Sequence, residues 1–153
     1  MTRVNNVVPI SKKQGDQALP HNMVDFVKAY IECILKHSSE GGKQTGAEDG
    51  EDTLEQHGYT EEDLETNFQL RIANDCTKFL VKAHEFIDLA VTAEEFEYDY
   101  HLAGGDFWLA RNRYGDGFWC RDLDILGKKL TEVAEEFKRC TVFIGDNGKI
   151  CCS

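Results

Sequence analysis

A chain of 153 residues is long enough to bury one real core and reads as a single domain. Its 28 acidic residues against 17 Lys and Arg leave a net charge of −11, a field that repels phosphate backbones and disfavours direct nucleic-acid binding. Apolar residues make up 41% of the chain, yet no run approaches the ~18–20 needed for a membrane-spanning helix.

Residues 1–20, MTRVNNVVPISKKQGDQALP, read as a loosely held leader in which Val7, Val8 and Ile10 could add an edge strand. The leader lacks the continuous apolar core of a signal peptide, so the expected compartment is the cytosol. There Cys33, Cys76, Cys120, Cys140, Cys151 and Cys152 are expected as reduced thiols. None forms a C-x-x-C pair, which argues against a zinc ribbon. From 21 the spacing changes: Met23, Phe26, Val27, Tyr30, Ile31, Ile34 and Leu35 form one apolar stripe and predict a helix over 21–36. A flexible acidic loop at about 38–59 follows, rich in Gly, Glu and Asp and poor in anything to bury. Its DGEDTLE and the later DNGKI resemble calcium loops but lack the spaced oxygens and closing glutamate, so no metal is expected.

Thr60 followed by Glu61, Glu62 and Asp63 is a good helix start, with a hydroxyl cap and acids on the positive end of the dipole. The face Leu64, Phe68, Ile72, Cys76, Phe79, Leu80, Ala83, Phe86, Ile87 and Ala90 predicts a helix over 61–90, with a break near 67–69. Thr92 and Glu95 read as a capping box opening a short helix over 93–102, closed by Gly104 and Gly105. Aromatic-rich strands are then expected at 107–111 and 118–121, joined by the turn NRYGDG. Asp122 would cap a last helix over 123–139, whose inner face is Leu126, Leu130, Val133, Ala134 and Phe137. CTVFIGDNGKICCS predicts a final hairpin with a type I′ turn at Asn147-Gly148. The expected fold is α+β: a small antiparallel sheet from two β-hairpins packed against about four helices.

The stretch DFWLARNRYGDGFWCRDLDILGKKLTEVAEEFKRCTVFIGDNGKI, residues 106–150, resembles a widespread group of small acidic proteins of tailed bacteriophages and prophages. Their signature is similar to D-F-W-L-x-R-N-x-x-G-x-G-F-W, followed by an L-G-x-x-L-T-x-x-A helix and a terminal strand–D/N-G-K hairpin. A weaker match runs upstream through LEQHGYTEEDLE and NDCTKFLVKA. The resemblance implies a phage lineage and the cytoplasm of a bacterial host, and it brings no mechanism. The group often carries His immediately before the Asp-Phe-Trp and another inside the turn. Gly105 and Tyr114 stand there in this chain, so chemistry resting on either histidine has no support.

Asp106, Arg111, Asn112, Asp116, Arg121 and Asp122 cluster in sequence and could converge at one end of a hairpin to do acid–base or phosphate chemistry. No P-loop, G-x-S-x-G, H-E-x-x-H or deaminase motif accompanies them, and no cofactor is implied. Ordinary structure accounts for them better. Asp106 can accept backbone or indole N–H bonds, Arg111 can pair with Asp122 or lie over Trp119, and Asn112 can hold the turn. As a binding surface the candidates are Asp106, Trp108, Arg111, Asn112, Trp119 and Arg121. His21, His37, His57, His84 and His101 are dispersed, as surface histidines are.

Acidic stretches supply a second candidate surface: Glu48, Asp49, Glu51, Asp52, Glu61, Glu62, Asp63, Glu94, Glu95, Glu97 and Asp99. The expected function is a non-catalytic, early-expressed phage accessory protein that occupies a host cytosolic protein. The partner, of host or phage, would have a basic surface, and imitation of DNA's spaced phosphates is one mode of binding it. The alternative is a small enzyme or ligand-binding domain built around Asp106, Arg111 and Arg121.

Overall fold

The computed structural model describes residues 19–41, 52–113 and 117–153. Four helices appear in order, α1 (Leu19–His37), α2 (Thr66–Thr92), α3 (Tyr100–Arg111) and α4 (Ile125–Ala134). A two-stranded antiparallel sheet of β1 (Val142–Ile144) and β2 (Ile150–Cys152) ends the chain, pairing Val142 with Cys152 and Ile144 with Ile150. Short 3-10 turns occupy Glu61–Asp63, Glu94–Phe96 and Gly117–Arg121. The fold is α+β. The expected leader strand at Val7–Ile10 and residues 42–51 of the acidic loop lie outside the described residues.

Helix α3 runs through the middle of the molecule. Phe107 stacks on Phe79 of α2 with ring centroids 4.1 Å apart. It also meets Tyr30 of α1 at 5.4 Å and Phe137 beyond α4 at 5.1 Å. Phe26, Phe79, Phe107 and Phe118 are all fully buried, so one aromatic cluster ties three helices and the Gly117–Arg121 turn together.

This arrangement corrects the expected first hairpin. Residues 107–111 are the second half of α3, and 118–121 form a 3-10 turn. The β-propensity of Phe and Trp gives way because Ala103, Phe107, Ala110 and Arg111 form one buried helical face that fills the core. Gly104 and Gly105 do not end a helix either. A Cβ on Gly104 would collide with the carbonyl oxygen of Phe26, so this glycine lets the backbones of α1 and α3 cross in contact.

Helix boundaries follow local caps, not all of them the expected ones. Thr92 donates its hydroxyl back to the Asp88 carbonyl (2.9 Å) and so finishes α2. Asp99 opens α3 by accepting the Leu102 N–H at 2.8 Å. The expected helix over 61–90 is split at Leu64 and Glu65, where the Glu65 N–H donates to the Ile150 carbonyl (2.9 Å) and Leu64 bridges Ile150. The expected Thr60 cap forms, and Asp63 completes it as a capping box: Asp63 Oδ2 accepts the Thr60 N–H at 2.8 Å, and the Thr60 hydroxyl accepts the Glu62 N–H at 3.3 Å. It serves the 3-10 turn.

Asp122 is not the cap of α4; Asp124 precedes that helix, and both take a positive φ (54° and 56°). The terminal turn also departs from type I′. Gly148 N–H donates to the Gly145 carbonyl (2.9 Å), and Gly148 alone among residues 145–149 takes a positive φ, 78°. Cys140 and Cys152 are joined as a disulfide with Cα atoms 6.0 Å apart, which corrects the expectation of six reduced thiols. Part of the expected flexible loop is anchored. Leu54 is fully buried, and the N–H groups of Leu54 and Glu55 donate to the carbonyls of Ser38 and Leu35 at 2.8 and 3.0 Å, closing the end of α1.

Candidate functional site

Asp106 and Arg111 lie five positions apart on α3, which places them about 140° apart around the helix axis. They therefore enter different parts of the core. Asp106 is 1% exposed and accepts the Tyr98 hydroxyl at 2.8 Å and the Arg121 guanidinium through Nε at 3.1 Å and Nη2 at 3.2 Å. Burial and the neighbouring Asp106 carboxylate push the Tyr98 phenol well above its ordinary range, which keeps it a donor.

Arg111 belongs to a second, separate pair. Its Nη1 donates to Asp75 Oδ2 at 2.8 Å and to the Tyr30 hydroxyl at 3.0 Å, while Nε and Nη2 reach the Lys138 carbonyl at 3.0 and 2.6 Å. The guanidinium also lies 5.7 Å from the Phe107 ring centroid and 5.5 Å from that of Phe137. Burial opposes its charge, but Tyr30 and Asp75 more than offset this and raise its pKa. Its ion-pair partner is thus Asp75, where Asp122 was expected.

Asn112 is a connector. Its Nδ2 donates to the Trp108 carbonyl at 2.9 Å and its Oδ1 accepts the Cys140 N–H at 2.8 Å, tying the end of α3 to the segment entering β1. Trp108 is 1% exposed and packs edge-on against Tyr30, so it offers no surface to a partner. Its indole N–H meets no acceptor among the described residues, Asp106 included. The Trp119 side chain and Asp116 lie outside the described residues. Of the hairpin candidates, then, Asp106 and Arg121 come together, Arg111 stands apart, and Trp108, Arg111 and Asn112 are buried.

The acidic candidates fall into two sets at opposite ends of α2, whose 27 residues span about 40 Å. Glu94, Glu95 and Glu97 are exposed at one end beside Asp99, which caps α3. Glu61 and Glu62 are exposed at the other, beside Asp63, which caps back to Thr60. Asp52 is exposed near His57, whereas Glu48, Asp49 and Glu51 lie outside the described residues.

Glu61 and Glu62 border a concavity on this face. Two contiguous open troughs of about 480 and 530 Å³ share Ile31, Glu61 and Glu62. Their floor is Val27, Ile31 and Leu35 of α1, faced by Tyr59, Leu64 and Ile72. Their acids are Glu32, Glu55, Glu61 and Glu62, and Lys28 is the single cation among the described lining residues. Glu32 also meets His101 at 3.4 Å. Sequence reasoning named Glu61 and Glu62 but not this trough. A signal existed: the apolar stripe of α1 is wider than one core face, and Val27, Ile31 and Leu35 form its flank at i, i+4, i+8.

Among the described residues no group of three or more His, Cys, Asp or Glu could hold a metal ion. None of the described helices is long and apolar enough to cross a membrane. No family model matches the chain, and comparison with curated proteins and with solved structures finds no significant match.

Proposed function

We propose that this protein acts by binding another protein without catalysis, and that the partner brings a basic surface to the acidic trough between α1 and residues 59–64. One observation carries the reading. The most reactive buried groups, Asp106 and Arg111, are each committed to a separate ion pair, Asp106 with the exposed Arg121 and Arg111 with Asp75, while Glu32, Glu55, Glu61 and Glu62 surround an apolar floor with only Lys28 opposing among the described lining residues. A negative trough steers a basic partner towards it and raises the encounter rate. The likeness of residues 106–150 to small acidic proteins of tailed phages supports an early accessory role in the cytoplasm of a bacterial host, with a host or phage protein as partner.

The test is affinity capture from infected and uninfected bacterial lysate, comparing the wild-type chain with the double variant Glu61→Lys/Glu62→Lys. Both side chains are exposed, so the variant should fold. The wild-type chain should recover a basic protein and the variant should lose it. Equal recovery by both chains, or turnover of a small metabolite with no partner recovered, would overturn the proposal.

A further inference from the structure

We infer that the partner element seated in this trough is a short amphipathic helix, apolar at i, i+4 and i+7 and flanked by Lys or Arg. This rests on the binding role proposed above and adds the chemistry of the occupant. The floor supplies the first reason. Val27, Ile31 and Tyr59 are only half-buried, and over the buried Leu64 and Ile72 they leave apolar surface that charge alone would not fill.

The backbone of the walls supplies the second. Among the lining residues, the Glu55, Gly58 and Tyr59 N–H groups donate to the carbonyls of Leu35, Glu55 and Leu54, Thr60 N–H to the Asp63 carboxylate, Glu62 N–H to the Thr60 hydroxyl, and Leu64 N–H to the Glu61 carbonyl. These walls therefore offer side chains in place of an open strand edge. An extended peptide laid on this strip would bury its own N–H and C=O groups without partners. A helix arrives with those groups already bonded and presents only side chains, the helix-in-groove mode of recognition.

Length and charge complete the match. Val27 and Leu35 lie eight residue steps apart on α1, about 12 Å, which accommodates about two turns of a partner helix. Four glutamates around the strip face outward to meet Lys or Arg flanking the apolar positions.

Peptide display tests this with three libraries of equal length: a helical library patterned as above, a library with a central proline, and a patterned library flanked by Asp and Glu. Each is selected on the wild-type chain and counter-selected on Ile31→Glu, with Val27→Arg as a second variant; a thermal melt confirms that each folds. The helical basic library should enrich. Its selected peptides should bind Ile31→Glu and Val27→Arg about tenfold more weakly or worse. A proline placed mid-peptide should cost about a hundredfold. Enrichment of proline-containing or acidic peptides, indifference to both variants, or no enrichment at all would overturn the inference. A dimer of this chain abolished by Ile31→Glu would assign the trough to a second copy and overturn it too. A captured protein sensitive to Glu61→Lys/Glu62→Lys yet indifferent to Ile31→Glu would sink this inference while leaving the broader function standing.

Discussion

Asp106 and Arg111 carry opposite charges on one helix and never meet. Each finds its counter-charge elsewhere in the chain, Arg121 for Asp106 and Asp75 for Arg111. A buried carboxylate bound by a guanidinium and a phenol is costly to alter, because the remaining donors lose a charged acceptor. Asp106→Asn should therefore lower stability by about 1–3 kcal/mol, read as a shift in the urea midpoint. An unchanged midpoint would remove Asp106 from the scaffold and reopen a chemical role for it. The residue types at this site were legible in the sequence, but their partners were not. Asp75 is 36 positions from Arg111, and no local spacing links them.

At the scale of elements, α3 is the instructive case. Its short apolar run, dense in aromatics and followed by a glycine turn, fits a period of two as well as a period of 3.6. Contact with α1 resolves the ambiguity, because Gly104 lets the helix approach Phe26 backbone to backbone. Adjacent glycines thus have different roles. Gly104→Ala should cost about 3 kcal/mol or more, since a methyl group meets a carbonyl that cannot move aside. Gly105→Ala should be neutral or stabilise by up to about 1 kcal/mol, because its Cβ meets only Cys33 Sγ at 3.9 Å and helix propensity improves. Chemical denaturation of the two variants checks this, and equal effects would contradict the crossing. Helix α1 and most of α2 were legible from their apolar periodicity, as was α4, although it spans Ile125–Ala134 and stops short of the expected 139. The split at Leu64 was not, since it depends on a backbone bond to Ile150, 85 positions beyond Glu65.

The whole molecule should be sensitive to alkali. Burial, reinforced by Asp106, moves the Cys33 thiol from its ordinary 9.0 to about 12, and burial likewise raises Cys76, Tyr30, Tyr98 and Tyr100. Below pH 9 these groups hold their protons in both folded and unfolded chains, so their full contribution to stability is present. Above pH 9 the unfolded thiols ionise first, the unfolded chain binds fewer protons, and stability falls by about 1.4 kcal/mol per pH unit for each such group. The decline continues for Cys33 until its folded form titrates near 12. Urea midpoints measured from pH 8 to 11 should fall from pH 9 onward, and Cys33→Ala should make the fall shallower by one proton. A flat profile would contradict the burial of these thiols and phenols. Taken by itself, the order of residues determined what depends on near neighbours: the periodic faces of three helices, the Thr60 cap, the C-terminal hairpin and the excess of acid. Tertiary structure alone decided that the aromatic ribbon is a helix, that its charges part company, and that Val27 and Ile31 are left over to floor a trough. The reason is physical: local spacing sets which side of an element is apolar, whereas the contacts that decide its conformation and choose its partners come from residues far away in the chain.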